Sequence, residues 1–390
     1  MHTAIVRDRA AARLAAGHGW VYRDDLLGFA PSSRHPPEAP VAVATRRGGA
    51  LGWADYSPNS QIALRLLTRD EAALEPGWLD ERLRVALAYR QRFVAHSEAY
   101  RLVAGEADGL PGLIVDRYGA ALAVQSLTAA MEARQGAVVA WLRDWLHPQA
   151  IIERNDTRLR RLERLEARAG LLYGESAQAT AEINGLRFGF DLLAGQKTGG
   201  FLDQRENWAA AARYTRPGAE ALDAFTYQGG FAVHLARAGA QVAAADLSRP
   251  ALEAAERNAQ ANSLDTVEWI EANAFDLLRH YDESRRKFDM VVLDPPGFAR
   301  NRAALAAALR GYKEINLRAL RILHASGILV TCSCSHNLEE AAFFDVVLAA
   351  AVDAGRSLVL LERRTQSLDH PVLAGFPETQ YLKCLILLVR

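Results

Sequence analysis

The sequence predicts an α/β protein whose carboxyl-terminal half is a doubly wound, mostly parallel seven-stranded sheet, preceded by a small β-rich module and a central α+β segment. Three observations predict it. From residue 219 onward, apolar strand-like runs alternate strictly with helical patterns until the last pair. The first of these runs breaks at Gly229 and Gly230 and enters a helix, which is where open α/β sheets bind ligands, because backbone N–H groups converge there. Finally, Asp223, Asp246, Asn273, Asp294 and the segment Thr331-Cys-Ser-Cys-Ser-His336 all fall at carboxyl ends of successive strands. Unrelated polar residues would scatter between both edges of a sheet; these collect on one rim.

In chain order, residues 1–72 carry short β-like runs at 40–45, 50–55 and 61–67, separated by Pro, Gly and Ser, with a loop from Ser32 to Pro40. Within the segment GHGWVY at 17–22, the aromatic side chains are expected to anchor a core rather than to stack on RNA. Residues 73–182 change pattern. A helix is expected over 79–97, strands over 100–104, 112–116 and 122–127, a helix over 136–146 and a strand over 150–153. Arg154, Arg158, Arg160, Arg161, Arg164 and Arg168 fall among four carboxylates counted from Glu153, which reads as a solvated, ion-paired surface.

The third segment, 183–390, begins with one strand-like run over 183–193 and a glycine-rich loop, GQKTGGFLDQREN, that should be placed over something. Strands are then expected over 219–224, 241–245, 267–270, 288–293, 327–331, 357–361 and 381–389. Helices are expected over 208–213, 231–238, 250–261, 275–280, 302–324 and 338–354.

Composition narrows the function classes. In 390 residues there is no run of 18 apolar residues, and the amino terminus lacks the apolar centre of a secretion signal, so a cytoplasmic protein is expected. The three cysteines, Cys332, Cys334 and Cys384, have neither metal-site spacing nor the even count of a disulfide framework; no metal is expected. Net charge is zero, so any nucleic-acid contact must come from local patches. All but four of the 46 basic residues are arginine, a bias that a GC-rich genome explains together with the abundance of alanine. The histidines His234, His336 and His370 are read first as structural, with His336 able to tune a nearby thiol and His370 to shape a pocket.

Several segments carry a narrower resemblance: GHGWVY, YSPNSQIALR, GEADGLPGLIVDRYG, GQKTGGFLDQREN, DAFTYQGGF, LDPPGFAR, GYKEIN, TCSCS and DHP, spread from end to end. With them the chain resembles the class I S-adenosylmethionine-dependent methyltransferases and, more narrowly, the bacterial 23S ribosomal RNA 5-methylcytosine methyltransferases with an amino-terminal PUA domain. The resemblance implies a PUA-like RNA-binding domain over 1–72, a central α+β domain over 73–182 and a Rossmann-like methyltransferase domain over 183–390. It implies S-adenosyl-L-methionine as cofactor and ribosomal RNA as partner, without a membrane; a homodimer is left open. For the cofactor it points to Asp223, Phe225, Tyr227, Gly229 and Gly230 around the methionine part, Asp246 on the ribose, Leu247 beside the adenine, Asn273 and Ala274 at the adenine edge, and Asp294. Gln204 and Arg205 are weaker candidates. Where such enzymes usually carry Asp-Ala or Asp-Val at the adenine edge, this chain has Asn273-Ala274.

The expected chemistry requires a thiol. Carbon 5 of cytosine is a poor nucleophile until a thiolate adds to carbon 6 and makes it enamine-like. Cys334 occupies the family's nucleophile position, and Cys332 reads as a buried strand-end residue. Asp294 is placed to share a proton with ring nitrogen 3 of the adduct. Many related enzymes carry Pro-Cys after this acid to aid release, whereas Pro296 stands here, so another base must act. Arg300, Arg302, Arg310, Lys313, Arg318 and Arg321 accompany one acid, Glu314, over residues 297–321; Arg300, Arg302, Arg310 and Lys313 are expected to hold RNA phosphates near a flipped-out base, and for the distal members a solvated face of an amphipathic helix is an equal reading. Two rivals remain: a methyltransferase acting on a guanine or an exocyclic nitrogen without a cysteine nucleophile, and a non-catalytic PUA-type RNA-binding protein.

Overall fold

The computed structural model describes residues 3–29, 36–70, 77–299 and 302–390, with Arg302 described by its backbone alone. The described residues form two compact units. The first holds 1–182, 190–202 and 368–379; the second holds 183–189, 203–367 and 380–390. The expected boundary at 72/73 and residues 32–35 of the expected loop over 32–40 lie outside the described residues. Among those residues, no helix is long and apolar enough to cross a membrane.

The first unit contains two sheets. A six-stranded sheet has the order Trp20–Tyr22, Ile62–Thr68, Ala50–Tyr56, Val41–Thr45, Thr3–Val6, Leu26–Gly28. Its core is Ala4, Val6, Ala10, Leu14, Val21, Val41, Val43 and Leu64. The helix Asp8–Ala15 turns Ala10 and Leu14 into that core at four-residue spacing. Of GHGWVY it is Val21 that enters this core; Trp20 is half-buried, its indole Nε1 donating to Glu106 at 2.9 Å and its ring meeting Phe376 edge-on at 4.8 Å.

A five-stranded sheet follows, ordered Arg168–Tyr173, Ala150–Asn155, Ala121–Ser126, Leu113–Tyr118, Ala99–Ala104. The helices Trp78–Phe93 and Ala129–Leu146 bury Leu83, Met131, Val138 and Leu142 against it. The second helix starts seven residues before the expected 136 because Thr128 caps it, its Oγ1 accepting from the Met131 N–H at 3.2 Å. Gly136, which suggested a boundary, lies inside the helix with open space around it.

The arginine-rich run is ion-paired but not solvated throughout. Arg160 is fully buried against Glu132, and Arg154 is 5% exposed. Arg154 Nη1 donates to the carbonyls of Leu192 and Gly195 at 2.8 and 3.0 Å, so this fork serves backbone rather than water. The first part of the glycine-rich loop, 195–202, is fastened in the same unit. Thr198 Oγ1 donates to Asp116 at 2.6 Å and lies 2.9 Å from the Tyr118 hydroxyl, which accepts from the Gly200 N–H at 3.1 Å. The Asp-His-Pro segment is structural too: the Arg101 N–H donates to Asp369 at 2.7 Å, and Arg90 donates to the Asp369 carbonyl at 2.7 Å.

The run expected as one strand over 183–193 is a hairpin, Gln178–Ile183 and Leu186–Asp191. Asn184 at φ 54° and Gly185 at φ 76° turn the chain inside what reads as one strand-like run.

The second unit is built on a seven-stranded sheet: β1 (Glu220–Asp223), β2 (Gln241–Asp246), β3 (Val267–Glu271), β4 (Phe288–Leu293), β5 (Leu323–Ser333), β6 (Leu358–Arg364) and β7 (Lys383–Val389). The order is β3-β2-β1-β4-β5-β7-β6, with only β7 antiparallel to its neighbours. Between the strands run α1 (Arg205–Ala212), α2 (Gly230–Arg237), α3 (Arg249–Ala261), α4 (Ala274–Glu283), α5 (Leu305–Ile322) and α6 (Glu340–Asp353). This is the predicted fold class. The reversal of strand order between β1 and β4 opens the sheet's crevice at their carboxyl ends.

Candidate active site

The rim has two halves. On the β1–β3 side, Asp223 is fully buried and its Oδ2 accepts from the Ala232 N–H at 3.1 Å, across the turn into α2. Burial pushes its carboxyl up to about 7. Between them, Tyr227 at φ 48° and Gly229 at φ 83° take left-handed backbone, a conformation that costs energy at the tyrosine. Protein packs closely on both glycines. A Cβ on Gly230 would stand 2.3 Å from the Trp208 ring, and one on Gly229 would stand 3.1 Å from Ala255. Phe225 is half-buried against the core.

Asp246 ends β2 with one backbone N–H on each oxygen: Tyr227 on Oδ2 at 2.9 Å and Ser248 on Oδ1 at 2.9 Å. Each oxygen keeps lone pairs for further donors. The next residue, Leu247, is 69% exposed, an apolar surface that a flat ring would cover. Asn273 caps α4, its Oδ1 accepting from the Phe275 N–H at 2.9 Å. The amide oxygen is thereby engaged and the Nδ2 donor is left over; Ala274 is buried beneath it.

On the β4–β5 side, the two cysteines separate at the end of a strand. Cys332 is still in β5, fully buried opposite Cys384, where burial and that neighbour push its thiol well up. β5 ends at Ser333, and the chain leaves the ladder, so Cys334 stands partly exposed. Its Sγ lies 4.0 Å from the Pro295 carbonyl, and a Cβ placed on Gly297 would be 3.6 Å from that sulfur. The thiol therefore lies against the turn that Asp294 begins.

Side chains hold this half together. The Ser333 hydroxyl donates to the Tyr312 hydroxyl at 2.8 Å, which is 3.1 Å from Ser335 Oγ. Ser335 Oγ also accepts from the Ala299 N–H at 3.2 Å, tying the cysteine loop to the Asp294 turn. Phe298 packs on Tyr312 with ring centres 4.7 Å apart and covers Gly311, which accounts for Gly-Tyr at the head of GYKEIN. Asp294 is aimed by a relay. Arg364 Nε donates to Asn207 Oδ1 (2.8 Å), Asn207 Nδ2 donates to Gln204 Oε1 (2.7 Å), and Gln204 Nε2 donates to Asp294 Oδ1 (2.9 Å). Gln204 thus faces the catalytic candidate, while Arg205 is 1% exposed beside Glu206.

Not every candidate converges here. Arg300 lies outside the described residues, as does the side chain of Arg302. Arg310 is exposed on α5, but Lys313 pairs with Asp353 at 2.7 Å, and Arg318 and Arg321 pair with Asp282 at 2.6 and 3.4 Å. Acids from neighbouring helices thus neutralise three of the six basic residues, which the count along one segment cannot show. His234 is structural: Nδ1 lies 2.7 Å from the Gly230 carbonyl, Nε2 lies 3.0 Å from Asn184 Nδ2, and burial pulls it down to about 4. His336 is exposed and stacks on Tyr381. Among the described residues no cluster of three metal-ligating side chains occurs.

Sequence reasoning missed Tyr312, Asn207, Arg364 and Lys383. Tyr312 and Asn207 lay inside quoted motifs without a role being read for them, and Lys383 carried a local signal, an ammonium leading the otherwise apolar run Lys-Cys-Leu-Ile-Leu-Leu-Val.

The geometry agrees with relationships across the whole chain. A sequence model of the S-adenosylmethionine-dependent methyltransferases matches residues 152–386, and one of the PUA-like domains matches 4–69. Curated relatives named ribosomal RNA large subunit methyltransferase I include that of Tolumonas auensis, 40% identical over 98% of both chains, and that of Aeromonas hydrophila, 41% identical over 90% of both. A solved methyltransferase, SMU.776 complexed with SAH, shares the fold with a TM-score of 0.85 at 21% identity over 100% of each chain.

Proposed function

The chain belongs to the S-adenosylmethionine-dependent methyltransferase family, and from that premise we propose that it methylates carbon 5 of a cytosine in large-subunit ribosomal RNA through a covalent adduct on Cys334. The single observation that carries the reading is the partly exposed thiol of Cys334 lying against the Asp294 turn while Cys332 is sealed in the sheet.

The residues present fit the cofactor: Asp246 retains acceptor capacity for ribose hydroxyls, and Leu247 offers an uncovered apolar face for the adenine. When bound, S-adenosyl-L-methionine supplies an electrophilic methyl group on sulfonium. The protein does the rest. The Cys334 thiolate forms a bond to cytosine carbon 6, and the displaced ring electrons make carbon 5 nucleophilic. Asp294, held by Gln204, shares a proton at ring nitrogen 3 where negative charge develops. Once carbon 5 carries the methyl group, loss of its proton to a base re-forms the double bond and expels the thiolate. A carboxylate is suited to nitrogen 3, and a cysteine to carbon 6; a nitrogen methyltransferase would have no use for the second.

We assign RNA capture to the PUA-like segment within 1–72 and to Arg310 with the neighbouring Arg300 and Arg302, the span 73–182 to a central domain, and 183–390 to the methyltransferase domain. The target base must be unpaired or flipped out, since carbon 6 is unreachable in a stem. The test is tritium transfer from labelled cofactor to undermodified ribosomal RNA. Cys334→Ala and Cys334→Ser should lower the rate by roughly 10³-fold or more, the scale of losing a nucleophile, while Cys332→Ala keeps it within about threefold. Undiminished transfer by both Cys334 variants removes the 5-methylcytosine mechanism.

A further inference from the structure

Lys383 is one of four lysines in the chain and the only one that is buried, at 6% exposure. It opens β7 directly across from Ser333, the last residue of β5. Its Nζ donates to the Ser335 carbonyl at 2.7 Å and to the Tyr381 carbonyl at 2.9 Å. Neither partner carries charge, and an ammonium taken out of water without a counter-ion is costly. The nearby groups that act on its charge are the thiol of Cys334 and the carboxylate of Glu340. Glu340 is already paired with Arg363 at 3.5 Å. Tyr312, whose phenol burial pushes up, also faces Cys334 and stays neutral. His336, stacked on Tyr381, is exposed.

We propose that Lys383 is the positioning residue for the nucleophile: its ammonium fixes the backbone after Cys334 and holds the neighbouring sulfur in the thiolate form. The inference rests on the reading of Cys334 as nucleophile and supplies what that reading lacks, a reason for the thiol to ionise at neutral pH. A cation beside a thiol favours the thiolate by Coulomb attraction, and the same attraction compensates the buried ammonium. Burial pulls Lys383 down to about 8, so it is charged in the range where the enzyme must work and loses that charge above it.

Iodoacetamide alkylation of the full-length protein, followed at the Cys334 peptide by mass spectrometry from acid to alkaline pH, reads the sulfur without RNA or cofactor. Cys332 and Cys384 are both fully buried and do not compete. Lys383→Met should move the midpoint of the rate profile up by about one pH unit and slow alkylation at neutral pH about tenfold, the usual reach of a neighbouring charge. Lys383→Arg should restore most of it. Lys383→Gln keeps an amide donor for the two carbonyls and removes the charge, so it should behave as Met does and serves if Met does not fold. Unmoved profiles in Met and Gln overturn the proposal and leave Lys383 as a backbone clamp. The two readings fail separately: methyl transfer surviving loss of Cys334 defeats the nucleophile, whereas an unmoved alkylation profile defeats only the lysine.

Discussion

The two halves of the rim are held in different ways. On the β1–β2 side, each acid is fixed by backbone N–H groups of adjoining loops, as Asp246 is by Tyr227 and Ser248. On the β4–β5 side, side chains hold one another: Arg364, Asn207 and Gln204 aim Asp294, while Tyr312 and Ser335 brace the cysteine loop. A cofactor shared across a large family can be gripped by local turns. On the proposed mechanism, a base attacked at one carbon and protonated at one nitrogen needs groups from distant parts of the chain held in register.

This division can be broken by experiment. Asp294→Asn keeps the amide relay but removes the charge-sharing group, and should lower kcat by about 10²–10³-fold with the cofactor KM nearly unchanged. Asp246→Ala should act in the opposite sense, raising the cofactor KM on the order of 10-fold to 100-fold, as expected for losing hydrogen bonds to a charged acceptor, with kcat held. If both variants shift the same kinetic constant, the halves are not separate. The smallest effect is on stability. Asp223 takes up a proton in the folded chain that the unfolded chain has already released, so the stability it contributes is present below about 3.8 and is lost as pH rises through about 7. Urea midpoints of Asp223→Asn measured across that window should fall less with rising pH than those of the native protein; parallel curves would show that the buried carboxyl is not shifted.

The same division explains what could be read from the sequence. The succession of strands and helices and the rim positions of Asp223, Asp246 and Asp294 were legible because apolar periodicity and turn chemistry are local. The hairpin at Asn184-Gly185 escaped because its two-residue turn lies near the start of a strand-like run. Buried Arg160 and the neutralised Lys313 escaped for a different reason, since a charge count along the chain says nothing of the acid that folds against it. Tyr312 was visible only as part of a recurrent motif, and its purpose depends on hydroxyls more than twenty residues away.

The antiparallel placement of β7 has a consequence for biosynthesis. Ser335 emerges from the ribosome 48 residues before the lysine that grips its carbonyl, and β5 before the strand that completes its outer edge. Until that later segment arrives, Cys334 belongs to an unfinished loop beside an open ladder. On the proposal for Lys383, the Cys334 thiol therefore gains its neighbouring cation only after β7 has been synthesised.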